Sequence, residues 1–150
     1  MTIRCEIVSQ DRLVYEGDAD VILVPGIEGE MGILPNHAPL LSILKLGVLI
    51  IRHQGEEKDF TISGGVVEVQ PDLVTVLADS AENVMEIDVA RAEAAKKRAE
   101  ELLAQGPGPD TDNYLRLEAA LRRSNLRLDA ARRYRGQRTP NSGKGREEPS

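Results

Sequence analysis

Few side chains in this 150-residue chain are placed to do covalent chemistry. The two histidines, His37 and His53, are too far apart to suggest a metal site, and loop or surface roles suit them better. A single cysteine, Cys5, excludes an internal disulfide and a multi-cysteine zinc site. It sits in a strand-like alternation and reads as a small core residue. The adjacent carboxylates Glu56 and Glu57 fall in a hairpin-like stretch, where a solvated turn accounts for them. Gly143-Lys144-Gly145 lacks the upstream glycine, the strand context and the following hydroxyl of a phosphate loop. Gly26, Gly29 and Gly32 are spaced three and three, which is not the dinucleotide fingerprint. These residues do not describe an enzyme in its own right, and they call for no obligatory cofactor.

Arginine is the exception. Arg116, Arg122, Arg123, Arg127, Arg132, Arg133 and Arg135 crowd one stretch, opposed only by Glu118 and Asp129 between Asn113 and Arg138. Guanidinium forks suit phosphate and carboxylate oxygens. Arg123 and Arg127 share a helix face at i, i+4, and Arg91 and Arg98, seven apart, share another. A solvated helix surface is the plain reading of the run; like charges so crowded repel mildly, which leaves a partner of opposite sign as the other. The net charge of −6 hides the same asymmetry. Residues 1–86 carry 15 acids against 5 bases, whereas residues 87–150 carry 10 acids against 14 bases. One reading of the basic half is a free-standing adaptor with an arginine-rich helix that binds nucleic acid. The acidic first half and the 3% aromatic content, poor for base stacking, argue against it.

The elements that must carry these residues change in kind along the chain. With 41% apolar residues and no tryptophan, the core must be aliphatic. Ile3, Cys5 and Ile7 alternate with Arg4, Glu6 and Val8, the period of a half-buried strand. Further strands are expected at Leu13–Tyr15, Ala19–Val24, Leu40–Leu44, Val48–Arg52, Lys58–Ile62, Val66–Val69 and Leu73–Leu77, punctuated by Gly and Pro. Many short strands at close spacing favour a β-sandwich or flattened barrel. After Glu82 the pattern becomes helical. Asp88 is a suitable N-cap for a helix to Gln105, striped by Ala92, Ala95, Ala99 and Leu102. Gly106-Pro107-Gly108-Pro109 stops it. Asp112 can cap a second helix to about Arg135, striped by Leu117, Leu121, Ser124, Leu128 and Ala131, the four-three spacing of a packed seam. The expected class is α+β: an N-terminal antiparallel β-sandwich (1–86), then a C-terminal antiparallel two-helix hairpin (87–135) and a disordered tail (136–150). The longest apolar runs, Val21–Val24 and Val48–Ile51, are too short to span a bilayer, and no secretory leader is legible. A soluble protein on the cytosolic side is expected.

Three ordered segments carry a resemblance. PGIEGEMGILPNHAPLLSILKLG (25–47), SGGVVEVQPDLVTVLADSAE (63–82) and EIDVARAEAAKKRAEELL (86–103) resemble the ε subunit of F-type rotary ATP synthases, and together with their spacing they cover most of residues 2–135. The resemblance implies a non-catalytic rotor part that couples ion flow through the c ring to ATP synthesis. Its sandwich would bind the γ subunit and rest on the c-subunit ring, without entering the membrane. Its hairpin would fold against the sandwich or extend into the α/β catalytic head and inhibit ATP hydrolysis, with Arg122, Arg123, Arg127 and Arg132 meeting acidic loops there. Glu30, Met31, Pro35, His37 and Ala38 match the positions that touch the c ring. Ile87-Asp88-Val89-Ala90-Arg91-Ala92 matches the I/L-D-x-x-R-A motif of ATP-binding members, and Glu82, Arg98, Arg123 and Arg127 fall on matching positions. The resemblance therefore implies ATP as a regulatory ligand held by Glu82, Ile87, Asp88, Arg91, Ala92, Arg98, Arg123 and Arg127. The expected location is peripheral, at the cytoplasmic face of a bacterial plasma membrane, with the stromal face of a thylakoid as second choice.

Overall fold

The computed structural model describes residues 1–10 and 12–135. The expected tail, 136–150, lies outside them. The chain divides into two compact units, Met1–Asn83 and a second beginning at Val84, three residues before the boundary expected from the sequence.

The first unit is built from strands β1 (Ile3–Ser9), β2 (Arg12–Ala19), β3 (Val21–Gly26), β4 (Gly29–Ile33), β5 (Leu40–His53), β6 (Glu56–Val69), β7 (Leu73–Ala78) and β8 (Ala81–Asn83). They form one hydrogen-bonded path, β2-β1-β7-β6-β5-β3-β4, with β8 added to β6. Every ladder is antiparallel except β1–β7, which runs parallel from Arg4↔Leu73 to Ser9↔Ala78. The four strands expected between Leu40 and Val69 are two, each 14 residues long. Their register is unbroken from Leu40↔Val69 to His53↔Glu56, so Gly47 and Gly64-Gly65, which read as strand ends, lie inside strands. Past these glycines β6 changes neighbours, pairing β7 through 65–69 and β8 through 60–62. There the path folds over into two layers. Gly65 (φ +126°) makes the fold possible: a Cβ on it would lie 2.1 Å from the Leu77 carbonyl oxygen. Strands β4 and β8 lie in GEMGI and AEN, which the sequence pattern leaves as loop.

Between the layers Ile3, Cys5, Ile7, Ile22, Ile33, Leu49, Phe60, Ile62, Val67, Val74 and Val76 are buried. Each contributes about 1.5–3 kcal/mol where a large aliphatic or aromatic side chain is fully withdrawn from water. The rings of Tyr15 on β2 and Phe60 on β6, not ladder partners, meet at 5.3 Å and tie the layers together. Burial pushes the Cys5 thiol up to about 12, so the thiolate does not form at neutral pH. Asp20 accepts the Gln54 backbone N–H at 2.8 Å and faces the His53 ring at 3.3 Å, and these hydrogen bonds hold its carboxyl below the usual range. What that contact adds to stability is present above the ordinary carboxylate pKa and is lost as pH falls.

The second unit starts with a 3-10 turn (Val84–Glu86), then α1 (Val89–Ala104), α2 (Thr111–Ala130) and a π turn (Ala131–Arg135). Asp88 caps α1 as expected, its carboxylate accepting the Arg91 N–H at 3.0 Å. The cap of α2 is Asp110, not Asp112, and accepts the Asn113 N–H at 3.2 Å. Asp112 falls instead in the first turn, where its charge still favours the helix dipole. The seam holds at Ser124, Leu128 and Ala131, which are buried, but Leu102 is 40% exposed and lies off it. On α1 only Ala92 and Ala99 are fully buried. With Val84, Ile87, Leu128, Ala130 and Ala131 these make seven buried apolar side chains among the described residues, fewer and smaller than the aliphatic core of the first unit, so the helical unit is the weaker of the two.

Candidate functional site

The loop expected to touch a ring of partners is stiff. Glu30 and Met31 lie on β4, where Glu30 pairs with Pro25 and is exposed, while half-buried Met31 packs on the core. Leu34 to His37 form a tight turn closed by the His37 N–H donating to the Leu34 carbonyl at 3.2 Å. Asn36, at φ +64°, donates its N–H to the Pro71 carbonyl at 2.9 Å, so this turn is tied to the one between β6 and β7. Leu34 is 59% exposed at the tip, Pro35 and His37 are half-buried, and Ala38 is exposed. The His37 Nδ1 lies 2.7 Å from the Ala38 carbonyl. With the proton on Nδ1, that nitrogen donates to the carbonyl, and Nε2 offers an acceptor. The loop thus presents an apolar tip, a carboxylate and an imidazole with little left to order on docking.

A second surface escaped the sequence reading. Ladder registers line up Ile43↔Val66, Val66↔Leu77, Leu77↔Val8 and Val8↔Leu13, which places five apolar side chains in one row across β5, β6, β7, β1 and β2. The row is on the outer face. Ile43 is 57%, Leu77 51% and Leu13 54% exposed, and Val8 and Val66 are half-buried between them. Leu41, two residues from Ile43 on the same face, is exposed too. The adjacent row is acidic: Glu68↔Thr75, Thr75↔Glu6 and Glu6↔Glu16, with Arg4 bonded to Glu16. A continuous apolar stripe with a polar margin is the form of a docking surface. Its trace in the sequence is a set of apolar doublets, Ile7-Val8, Ile43-Leu44, Val66-Val67 and Val76-Leu77, each with one member in the core and the other outside.

The expected ligand residues divide between the two units. Glu82 is half-buried on β8 of the first, and the others belong to the second. Ile87 and Ala92 are buried, and Asp88 is engaged as the cap of α1. Arg91, Arg98 and Arg123 are exposed, and Arg127 is half-buried. Arg135 donates to the Val84 and Ile87 carbonyls, which puts the end of α2 beside the start of α1 and makes the hairpin antiparallel. With equal rise on both helices, Arg98 stands about level with Ser124, and Arg127 about level with Ala95. Arg98, Arg123 and Arg127 therefore occupy neighbouring levels of the pair, with Arg91 one turn beyond. Arg122 and Arg132, expected to meet a catalytic head, are exposed on the same helix and π turn. Arg135, a member of the same basic run, is half-buried. Among the described residues no cluster of His, Cys, Asp and Glu could hold a metal ion.

A two-layer sandwich with an apolar outer row and a stiff apolar-tipped loop, followed by an arginine-rich hairpin, has the surfaces of a docking protein. Comparison with known families agrees. Residues 2–84 match the family described as ATP synthase, Delta/Epsilon chain, beta-sandwich domain, and residues 85–132 match its long alpha-helix domain. The chain belongs to this family. It is 46% identical over 139 residues to the ATP synthase epsilon chain of Dehalococcoides mccartyi, covering 89% of this chain and 94% of that one. To the epsilon chain of Halalkalibacterium halodurans it is 45% identical over 132 residues, covering 88% and 98%. Among solved structures it is similar to a chain in the OSCP/F1/c-ring assembly of the Euglena gracilis mitochondrial ATP synthase (TM-score 0.71, 27% identity, 87% of this chain and 81% of that chain). It shares its fold with a chain of the Tetrahymena thermophila mitochondrial ATP synthase central stalk and c-ring (TM-score 0.56, 16% identity, 87% and 97%).

Proposed function

We propose that the chain is a non-catalytic rotor subunit of a rotary ATP synthase, seated on the γ subunit by the outer row of its sandwich and on the c ring by the loop at residues 30–38, with its hairpin as a brake on ATP hydrolysis in the α/β head. The observation that carries this is the row Ile43, Val66, Leu77, Val8 and Leu13, which a free-standing sandwich has no reason to expose. Covering what remains exposed stabilises docking by about 1 kcal/mol per side chain. The subunit works peripherally. None of the described helices is long and apolar enough to cross a membrane, and the bacterial sources of its relatives favour the cytoplasmic face of a plasma membrane.

The test is the double substitution Ile43→Glu with Leu77→Glu. Both sites are exposed, so the melting temperature of the free chain should hold, while the stoichiometric complex with γ should be lost because the carboxylates would be buried without partners. A double variant that still co-purifies with γ in full amount would overturn the docking face.

ATP is proposed as a regulatory ligand of the closed hairpin, bound without hydrolysis. Support comes from the neighbouring levels of Arg98, Arg123 and Arg127 on the antiparallel pair, with Arg91 next in line, and from the matching motif that carries Ile87, Asp88 and Ala92; Glu82 falls on a matching position outside that motif. A ligand that binds only the closed form raises its population by mass action, releasing the brake when ATP is plentiful. Calorimetry on the free chain should detect binding, weakened at least about tenfold by Arg91→Ala or Arg123→Ala. No heat and no melting shift at millimolar ATP would refute the site, as would variants that bind like the wild type.

A further inference from the structure

The four-three spacing of α2 does not stop at Ala131. Continued by four residues it reaches Arg135, so an arginine holds a seam position where the pattern wants an apolar side chain. The π turn Ala131–Arg135 carries it there, and widened turns of this kind are frequent at functional sites. Its half-buried guanidinium has found partners: Nε donates to the Val84 carbonyl at 3.0 Å, and an Nη donates to the Ile87 carbonyl. The second of these carbonyls is short of a donor for a local reason. In a continuous helix Ile87 would receive the Arg91 N–H, but the Asp88 carboxylate has taken it as the cap. The cap therefore frees a carbonyl, and Arg135, 48 residues away, occupies it.

We propose that Arg135 is the clasp of the hairpin: its two charge-assisted hydrogen bonds join the segment entering α1 to the turn leaving α2 and set the balance between closed and opened helices. The clasp carries weight because α1 brings only alanines, Ala92 and Ala99, to the buried side of the pair. Opening the hairpin withdraws the guanidinium from both carbonyls at once. A lysine at this position could reach one carbonyl but could not span two with a rigid fork.

Amide hydrogen exchange on the full chain reads this directly. Arg135→Gln should speed exchange in the α1 start (88–92) and the α2 end (128–135) at least about tenfold, the scale set by a lost charge-assisted bond. Arg135→Lys should fall between variant and wild type. Arg116→Gln, exposed in mid-helix, should leave both segments unchanged. The amides of β5 and β6 should keep wild-type protection in every variant and so report that the fold is intact. Wild-type exchange at 88–92 in Arg135→Gln would overturn the clasp. A second arm rests on the braking role proposed above: in the assembled ATP synthase, Arg135→Gln should lower hydrolysis severalfold by favouring the opened form. Faster exchange with unchanged hydrolysis would uphold the clasp and overturn the brake.

Discussion

At Gly65 the whole sandwich depends on the absence of one carbon. Its φ of +126° and the Leu77 carbonyl oxygen 2.1 Å from an added Cβ mean that even alanine forces the β6–β7 ladder apart. Gly55, at φ +77° in the β5–β6 turn, has nothing within 4 Å of the same position. Gly65→Ala should therefore cost more than about 2 kcal/mol and lower the melting temperature by roughly 10 °C, against about 1 kcal/mol for Gly55→Ala from backbone strain alone. Thermal melts of the two variants would check this, and equal losses would contradict the steric account. The sequence shows both glycines and cannot tell these roles apart, because the atom that decides, the Leu77 oxygen, arrives from another strand. The same limit applies to Arg135. It reads as one more member of a basic run until the carbonyls of Val84 and Ile87 are placed beside it.

Among the elements, α2 was the most legible and the long strands the least. Leu117, Leu121, Ser124, Leu128 and Ala131 announce the seam because helical spacing is a local property. Its start was misplaced by two residues because Asp110 and Asp112 are equally good caps by type, and only backbone geometry chooses between them. β5 and β6 were each read as two strands because glycines at 47, 64 and 65 look like stops when they are bends. The outer row was missed for a different reason. Period-two reasoning assigns one face to the core and the other to water, and Ile43, Val66, Leu77, Val8 and Leu13 break that rule where a partner takes the place of water. The arginine face of α2 carries its own prediction. Replacing Arg122, Arg123, Arg127 and Arg132 by alanine removes four positive charges from the proposed contact with the head and should raise hydrolysis by the assembled enzyme severalfold. An unchanged rate in a complex that retains the subunit would count against that contact.

Across the whole molecule the division of labour follows the division of cores. Every member of the core cluster lies between Ile3 and Ala78, so the first unit has a core of its own. Truncation after Glu86 should leave a protein that unfolds cooperatively and still supports assembly with γ; a chain that fails to fold on this cut would disprove the independence of the unit. The parallel ladder has a further consequence, for synthesis. β1 is made first, yet it lies inside the path between β2 and β7, and β7 is among the last strands to emerge. Until Leu73–Ala78 leaves the ribosome, the nascent chain carries Ile3, Cys5 and Ile7 on a strand with one edge unpaired, open to pairing with any other chain nearby. Closure is set by the meeting of two segments about seventy residues apart in sequence, so folding is a late and slow event governed by loop closure. The stretch of chain most exposed to aggregation during translation is thus one whose inward side chains end fully buried in the finished sandwich.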